Sequence, residues 1–582
     1  MLASFIVHLG IFAFVGTAAA QRPRAAQRPV VREVDSSAAV RRARNAQAAF
    51  EIFRRGRLPR SGRVSGPCDV IVGRYCYWRG GDDDSDDDKR PDEPAAIRER
   101  REQLLALLDS LAADAPADGW IAGQRVRYLA DAGRPADAAR VASTGCHAVQ
   151  SWCAALEGYA WHRAGAYARA DSSFGRALAA MSPRERCDWL DIGPLLAGAV
   201  ASRFRHLDCA HRDSLARRVL RLGAPLYSVA SSDLLTEHLS RVTRSRISDH
   251  SYMVEGPSWG DDSRDLVLRY GWPEWYTRAE APFGSTLEAS IIGHDAGRPF
   301  YFIPDARVLD HPAESTDDDW RLDDRLAPSG YAPAYARSIH AIPSQIARFR
   351  HGDTTIVVAT WDVSADTTLA GRPLDAALVL TTDGADGRRS TRASARDRGS
   401  LITRALLDSG IVSLELLARD RRRAARERLG MPPRVTATVA MSDVLLYRPY
   451  PAADDSIPAS TRNESLAQLA GAAMPTARVD AERRVGVYWE TYGARAGASV
   501  EYSISVQPAD VPWYRRAAVR LGLGKRESTL FVRWSDVARG GGFSRRAMEL
   551  DLSRLRAGRY HLNVSAATGG ATTTSRRALE LP

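Results

Sequence analysis

Two hydrophobic periods divide the chain. From Pro94 the apolar residues Ile97, Leu104, Leu105, Leu108 and Leu111 recur at helical spacing and share one face. Beyond residue 336 the period falls to two, the pattern of half-buried antiparallel strands. Thr355–Trp361, Ala376–Thr382, Ile411–Leu417 and Val435–Tyr447 read as strands of one sandwich. Val485, Val487 and Trp489, then Val500, Tyr502, Ile504 and Val506, and later Tyr560, Leu562, Val564 and Ala566 alternate as strands of a second. Between the two regimes lies 256–277, GPSWGDDSRDLVLRYGWPEWYT, in which Leu266–Tyr270 reads as a short strand and Gly271-Trp272-Pro273 as a sharp turn. ARDRRRAARERLG, 418–430, reads as a cationic helical excursion between strands, and Ala38–Arg55 as a helix.

The predicted fold class is therefore multi-domain α + β, as expected of 582 residues, too many for one hydrophobic core. The expected order is a signal peptide (1–20), an N-terminal segment with a cysteine loop and an acidic linker (21–93) and a helical domain (94–250). A central motif region (251–335), a β-sandwich (336–450), a linker (451–480) and a second β-sandwich (481–582) follow.

Composition alters this picture little. The net charge of +11 comes almost wholly from arginine, with Lys89 and Lys525 the lysines, and is spread along the chain beside 70 acidic residues. No recognition motif accompanies it, so no nucleic-acid partner is expected. The acidic run Asp82–Asp88 lacks the glycine and distal glutamate of a calcium loop and reads as a solvated linker. Leu2–Val15 followed by Ala18-Ala19-Ala20 has the pattern of an export signal, and no later segment is apolar for long enough to cross a bilayer. The protein is thus expected in the periplasm, cell envelope or extracellular space.

Six cysteines in three local couples, Cys68 and Cys76, Cys146 and Cys153, Cys187 and Cys209, suit an oxidising compartment. Fifteen connectivities are possible, of which sequential pairing is the most economical. A zinc site is disfavoured, because only His206, Cys209 and His211 stand at ligand-like spacing.

Gly158, Trp161, Gly165, Tyr167, Ala170, Phe174 and Ala177 resemble a tetratricopeptide repeat, with Leu129, Gly133, Ala138 and Ala142 as a fainter copy about 32 residues upstream. Ser182-Pro183-Arg184-Glu185 reads as a capping box that opens another helix. The central stretch resembles a bacterial family named for a Gly-Trp-x-Thr-Asp motif. Trp259, Asp262 and Arg264 match its first half, and Arg269, Tyr270, Gly271 and Pro273 its Arg-Tyr-Gly-x-Pro second half; Ser258 stands where the family has glycine, and Asp261 where it has threonine. The resemblance implies an exported multi-domain protein without an established activity, and a structural role for the motif: an aromatic plug, an Asp–Arg pairing and a Gly-Pro turn. The ending LxxGxYxLxV resembles the last hairpin of bacterial immunoglobulin-like modules, which are spacers or binding surfaces.

Three patterns bear on catalysis. Gly256-Pro257-Ser258-Trp259-Gly260 satisfies the G-x-S-x-G of nucleophile elbows, with Asp265 and His294, or Asp310 and His311, as partners in the right order. No alternation of strands and helices surrounds it. His294-Asp295 and Asp310-His311 are the candidates for a metal site. No HExxH, P-loop or dinucleotide motif is present. The expectation is a non-catalytic, cofactor-free interaction or scaffold protein with a protein or glycan partner. The alternative is an envelope hydrolase, serine or metal dependent, centred on residues 256–311.

Overall fold

In the computed structural model the structure describes residues 38–61, 68–78, 90–256, 258–279, 290–295, 297–322, 327–382, 388–420, 423–433, 439–449, 466–509, 530–538 and 542–582. The N-terminal apolar segment, the acidic run and the linker residues Pro451, Pro458 and Ser460 lie outside them.

An N-terminal helical region precedes several β-rich ones. Its helices are α1 (Ala38–Arg55), α2 (Ala95–Asp114), α3 (Gly119–Asp131), α4 (Pro135–Thr144), α5 (Gln150–Arg163), α6 (Tyr167–Ala180), α7 (Pro183–Trp189), α8 (Gly198–Arg205), α9 (Cys209–Leu222) and α10 (Asp233–Ser248). The hairpins α3–α4 and α5–α6 turn alike. Gly133 and Gly165 both hold positive φ, 74° and 69°, a left-handed conformation that glycine adopts without a Cβ clash. In each, the next residue's N–H returns to a carbonyl five residues back, Arg134 to Leu129 and Ala166 to Trp161, both at 2.9 Å. Gly158 lets α5 approach α6 closely, since a Cβ there would stand 2.8 Å from the Phe174 ring. Ser182 caps α7 by accepting from Glu185 N at 3.2 Å. The disulfides join sequence neighbours: Cys68–Cys76, Cys146–Cys153 and Cys187–Cys209.

The strands are β1 (Arg60–Ser61), β2 (Val70–Val72), β3 (Tyr75–Tyr77), β4 (Trp275–Ala279), β5 (Ile291–His294), β6 (Ser338–Ala341), β7 (Ser344–His351), β8 (Thr354–Asp362), β9 (Leu374–Thr381), β10 (Arg389–Ala395) and β11 (Arg398–Ala405). They continue with β12 (Gly410–Ala418), β13 (Arg423–Met431), β14 (Ala440–Met441), β15 (Leu445–Tyr447), β16 (Arg484–Tyr492), β17 (Ser499–Pro508), β18 (Leu530–Val537), β19 (Phe543–Asp551), β20 (Gly558–Thr568) and β21 (Ala571–Leu581). β2 and β3 form a hairpin closed by Cys68–Cys76, and β1-β4-β5 a small sheet.

The four larger sheets stack. The first, β10-β9-β12-β13-β6, carries core residues on both faces of β9, β12 and β13, while its edge strand β10 is mostly exposed. Ala377, Val379, Ile411 and Ala424 join the helical core, while Leu378, Leu380, Val412, Leu414 and Ala425 meet the second sheet, β11-β8-β7. The far face of that second sheet, through Phe349, Ile356 and Val358, packs on Leu445, Tyr447 and Tyr488 of the third sheet, β14, β15, β16 and β19. Val485, Val487 and Trp489 on the other face of β16 meet Val500, Tyr502, Ile504 and Val564 of the fourth sheet, β18-β17-β20-β21. Within the stretch 451–480, helix α13 (Leu466–Ala472; α12 is Ala306–Asp310) buries Leu466, Leu469 and Ala470 in the layer between the second and third sheets.

Two expectations are corrected. The cationic stretch 418–430 forms the end of β12 and then β13, not a helix. Two of its arginines are buried: Arg428 donates to Leu222 and Ala224 carbonyls at 3.2 and 3.1 Å and lies 3.5 Å over the Tyr227 ring, and Arg426 donates to the Pro225 carbonyl at 2.7 Å. Buried Glu415 on β12 completes this lock, accepting the Tyr227 and Ser228 N–H groups at 2.7 Å each. The second correction concerns Leu266–Tyr270, which belongs to α11 (Asp261–Tyr270) and not to a strand. Asp261 and Asp262 stand in its first turn and Arg269 in its last, each at the pole that the helix dipole favours. Ser263, Val267 and Tyr270 are the face it buries, at helical spacing.

Candidate functional site

The motif residues fasten α11 at both ends. Trp259 Nε1 donates to Asp249 Oδ1 at 2.9 Å, and Arg264 reaches the same carboxylate at 3.4 Å and Asp261 at 3.2 Å. The Asp–Arg pairing runs from Asp262 to a residue outside the motif, Arg74, on the turn of the β2–β3 hairpin. Its Nε and Nη2 donate to Oδ2 and Oδ1 at 2.6 and 2.8 Å, and this fork holds the Asp262 carboxyl well below its ordinary range. Arg269 donates to the Pro328 carbonyl at 2.6 Å and to Asp265 at 3.3 Å, and Tyr270 stacks on Tyr77 at 4.1 Å. Gly271 ends the helix at φ 88°, a conformation strained for any side chain, and a Cβ there would touch Arg241 and Glu237. Pro273 packs on Gly293, whose Cβ would fall 2.3 Å from its ring.

The turn after α11 is one wall of a recess of about 70 Å³, to which Tyr270, Gly271, Trp272 and Glu274 contribute. His162 and Arg163 from the end of α5, Glu237 and Arg241 from α10, and Asp295, Pro299 and Tyr331 also line it. Most of its charges are already paired. His162 Nε2 lies 2.7 Å from Glu237 Oε2 and its Nδ1 3.0 Å from Thr236 Oγ1. Arg241 Nε donates to Glu237 Oε1 at 2.6 Å, while its Nη groups serve the Leu268, Arg269 and Gly330 carbonyls. Arg163 forks onto both oxygens of Glu274.

The carboxyls here titrate far apart. Burial opposes the Glu237 charge, but Arg241 and His162 outweigh it and hold the group down to about 2. Burial raises Asp295 to about 6, although the Tyr77 hydroxyl donates to its Oδ2 at 2.6 Å. Burial likewise raises Asp233, one turn before Glu237, to about 6, with Tyr335 and Tyr331 donating at 2.9 and 3.2 Å.

The sequence-derived catalytic partners are not brought together. Ser258 is exposed, its carbonyl accepts from Arg74 at 3.0 Å, and its hydroxyl has no hydrogen bond among the described residues. Among the described residues no strand leads directly into it. His294 stacks on Trp275 at 3.7 Å and pairs with Thr277 Oγ1 at 2.8 Å, and Asp265 is engaged by Arg269. Asp310 pairs with Arg203 at 2.6 Å, and the neighbouring His311 is exposed. His206 binds the Ser202 carbonyl, His211 binds Asp208, and Cys209 is oxidised. Among the described residues no group of three or more His, Cys, Asp or Glu is arranged to hold a metal, and no described helix is long and apolar enough to cross a membrane. The recess residues His162, Arg163, Glu237 and Arg241, and Asp233 one turn before Glu237, escaped the sequence reading. Their signal was a stripe of charge along α10, Asp233, Glu237, Arg241 and Arg244, at helical spacing.

Comparison with known proteins adds little. No family model and no curated protein matches the chain. Among solved structures it is similar in part to red sea bream transglutaminase, at 10% identity over 41% of this chain and 31% of that one, with a TM-score of 0.13. The FN1–FN3 domains of chicken CNTN1 match at 12% identity over 41% of this chain and 67% of that one, TM-score 0.14. Bacteroides uniformis beta-glucuronidase matches at 8% identity over 40% and 26%, TM-score 0.16. The chain spans about a third of the transglutaminase, and superposition this poor carries no argument about fold or activity.

Proposed function

We propose that this chain is an exported, non-catalytic interaction or scaffold protein of the cell envelope that holds a protein or glycan partner. In this reading the helical hairpins are tetratricopeptide-like, the central stretch is a divergent Gly-Trp-x-Thr-Asp motif, and the two β units are immunoglobulin-like modules. One observation carries it: the motif turn at Tyr270–Trp272, the cystine-closed hairpin bearing Tyr77 and the helical residues His162 and Glu237 converge on one recess. Its ionic groups are held by one another in fixed geometry, the preorganisation that recognition rewards. Three disulfides suit an oxidising compartment. The test is cross-linking and recovery of the mature protein from its own envelope fraction, followed by titration against the recovered material. Saturable binding is expected, and the absence of any envelope partner would end the proposal.

A further inference from the structure

The fourth sheet ends differently at its two edges. Along β21 the chain closes the edge on itself: Val479 N–H donates to the Glu580 carbonyl at 2.8 Å, and Glu580 N–H to the Ala477 carbonyl at 2.9 Å. An edge of the second sheet is closed in the same manner, since Arg348 on β7 donates its N–H to Asp443 Oδ2 at 3.0 Å and accepts the Asp443 N–H at 3.1 Å. The opposite edge of the fourth sheet, β18, has no such cover on its outer side among the described residues; its Val537 N–H turns to the Asp536 carboxylate at 2.7 Å. A strand of eight residues left open along one side is a template for another strand.

The side chains say which strand fits. Phe531 is 63% and Val537 54% exposed, among the few large apolar side chains that the described residues leave in solvent. They stand near the two ends of β18 on one face, with Arg533 and Ser535 between them. The other face, Leu530, Val532, Trp534 and Asp536, is only half-buried. This spacing is self-complementary. When two copies of β18 run antiparallel about a two-fold axis at Trp534, Phe531 of each copy stands opposite Val537 of the other, Arg533 opposite Ser535, and Trp534 opposite its own counterpart. Both exposed apolar residues are then covered twice over, and no like charges meet. Centring the axis on Arg533 would instead oppose two guanidinium groups and set Phe531 against Ser535, so the side chains select one register. A patch that complements itself is what an isologous contact between identical chains requires.

We propose that the chain pairs with a second copy of itself through β18, antiparallel about Trp534, joining two four-stranded sheets into one continuous sheet. The contact is one strand wide, at the small end of specific interfaces, so the dimer is weak and reversible. The inference stands apart from the recess and from the identity of any envelope partner.

The test is sedimentation equilibrium of the full chain over a wide range of concentration, in which a monomer–dimer equilibrium is expected. Phe531→Lys is expected to weaken it about tenfold, because the lost cross-strand pair occurs twice, and Val537→Lys similarly. Thr572→Lys, exposed on the opposite edge strand β21, should leave it unchanged. The six native cysteines are all consumed in disulfides, so added thiols report the register. Under mild oxidation a mixture of Arg533→Cys and Ser535→Cys should cross-link faster than either variant alone. If Phe531→Lys does not fold, Val537→Lys and the cysteine pair carry the test. The proposal is overturned if the folded chain stays monomeric at every concentration, if either folded lysine variant on β18 dimerises as tightly, or if the two cysteine variants link no faster together than apart. A monomer whose β18 amides become protected from exchange only when an envelope partner binds would also overturn it, giving the edge to that partner.

Discussion

At Glu237 the protein sets a buried carboxylate between a guanidinium and an imidazole, and the pH dependence follows from the sign of the shift. A carboxyl held at about 2, below its ordinary 4.5, contributes stability that is fully present above 4.5 and lost as pH falls toward 2. Asp131 is held to about 2 in the same way: burial opposes its charge, and Arg244, Arg127 and Arg54 outweigh burial. Thermal melts between pH 7 and 2 should therefore show the steepest loss below 4.5. Glu237→Gln should flatten that limb and cost about 3 kcal/mol at neutral pH, since it leaves Arg241 buried without its counter-charge. An acid limb unchanged in the variant would contradict this. Ser258 gives a second check. Without a base beside it, the chain should remain unlabelled by a fluorophosphonate probe, and stoichiometric labelling would revive the hydrolase alternative.

Elements were legible where one apolar face dominates, and illegible where charge is buried. Ala38–Arg55 and the alternating strands of the fourth sheet follow their sequence patterns closely. α11 did not, because only three of its ten residues are buried and the run Leu266-Val267-Leu268 imitates a strand. β13 failed for the converse reason. Arginines are read as solvated, yet Arg426 and Arg428 spend their donors on the carbonyls after α9 that would otherwise be buried unpaired. The recess was invisible for a related reason, since its parts lie on α5, α10, the motif turn and a hairpin far apart in sequence. At this scale Gly271 is the sensitive point. Gly271→Ala must hold a Cβ at φ 88° against Arg241 and Glu237, and is expected to cost about 1–2 kcal/mol in urea unfolding. A neutral result would show that the turn relaxes freely.

Across the whole molecule, each of the first three sheets contributes residues of both faces to buried clusters, so the layers share their cores. Deleting 481–582 removes Tyr488 from beside Phe349 and Tyr447 and strips the third sheet of β16. Such a chain should expose that apolar surface, bind a hydrophobic dye and aggregate, which light scattering would register; a monodisperse truncation would show the units to be separable. The lock of Glu415, Arg426 and Arg428 on the end of α9 makes the same point at the other junction, where Glu415→Ala should cost about 3 kcal/mol by leaving a buried and a part-buried N–H group unpaired.

The Tyr77 hydroxyl on Asp295 spans 218 residues of chain, and His162 and Trp272 line the same recess. A cut at either apparent joint, after residue 93 or after residue 250, would separate partners that the recess needs together. The site is consequently not portable. Grafting the motif segment alone onto another scaffold would carry Tyr270 and Trp272 but leave behind Tyr77, His162 and Glu237. Inheritance of this recess therefore requires the hairpin, the helices and the motif to be passed on as one block.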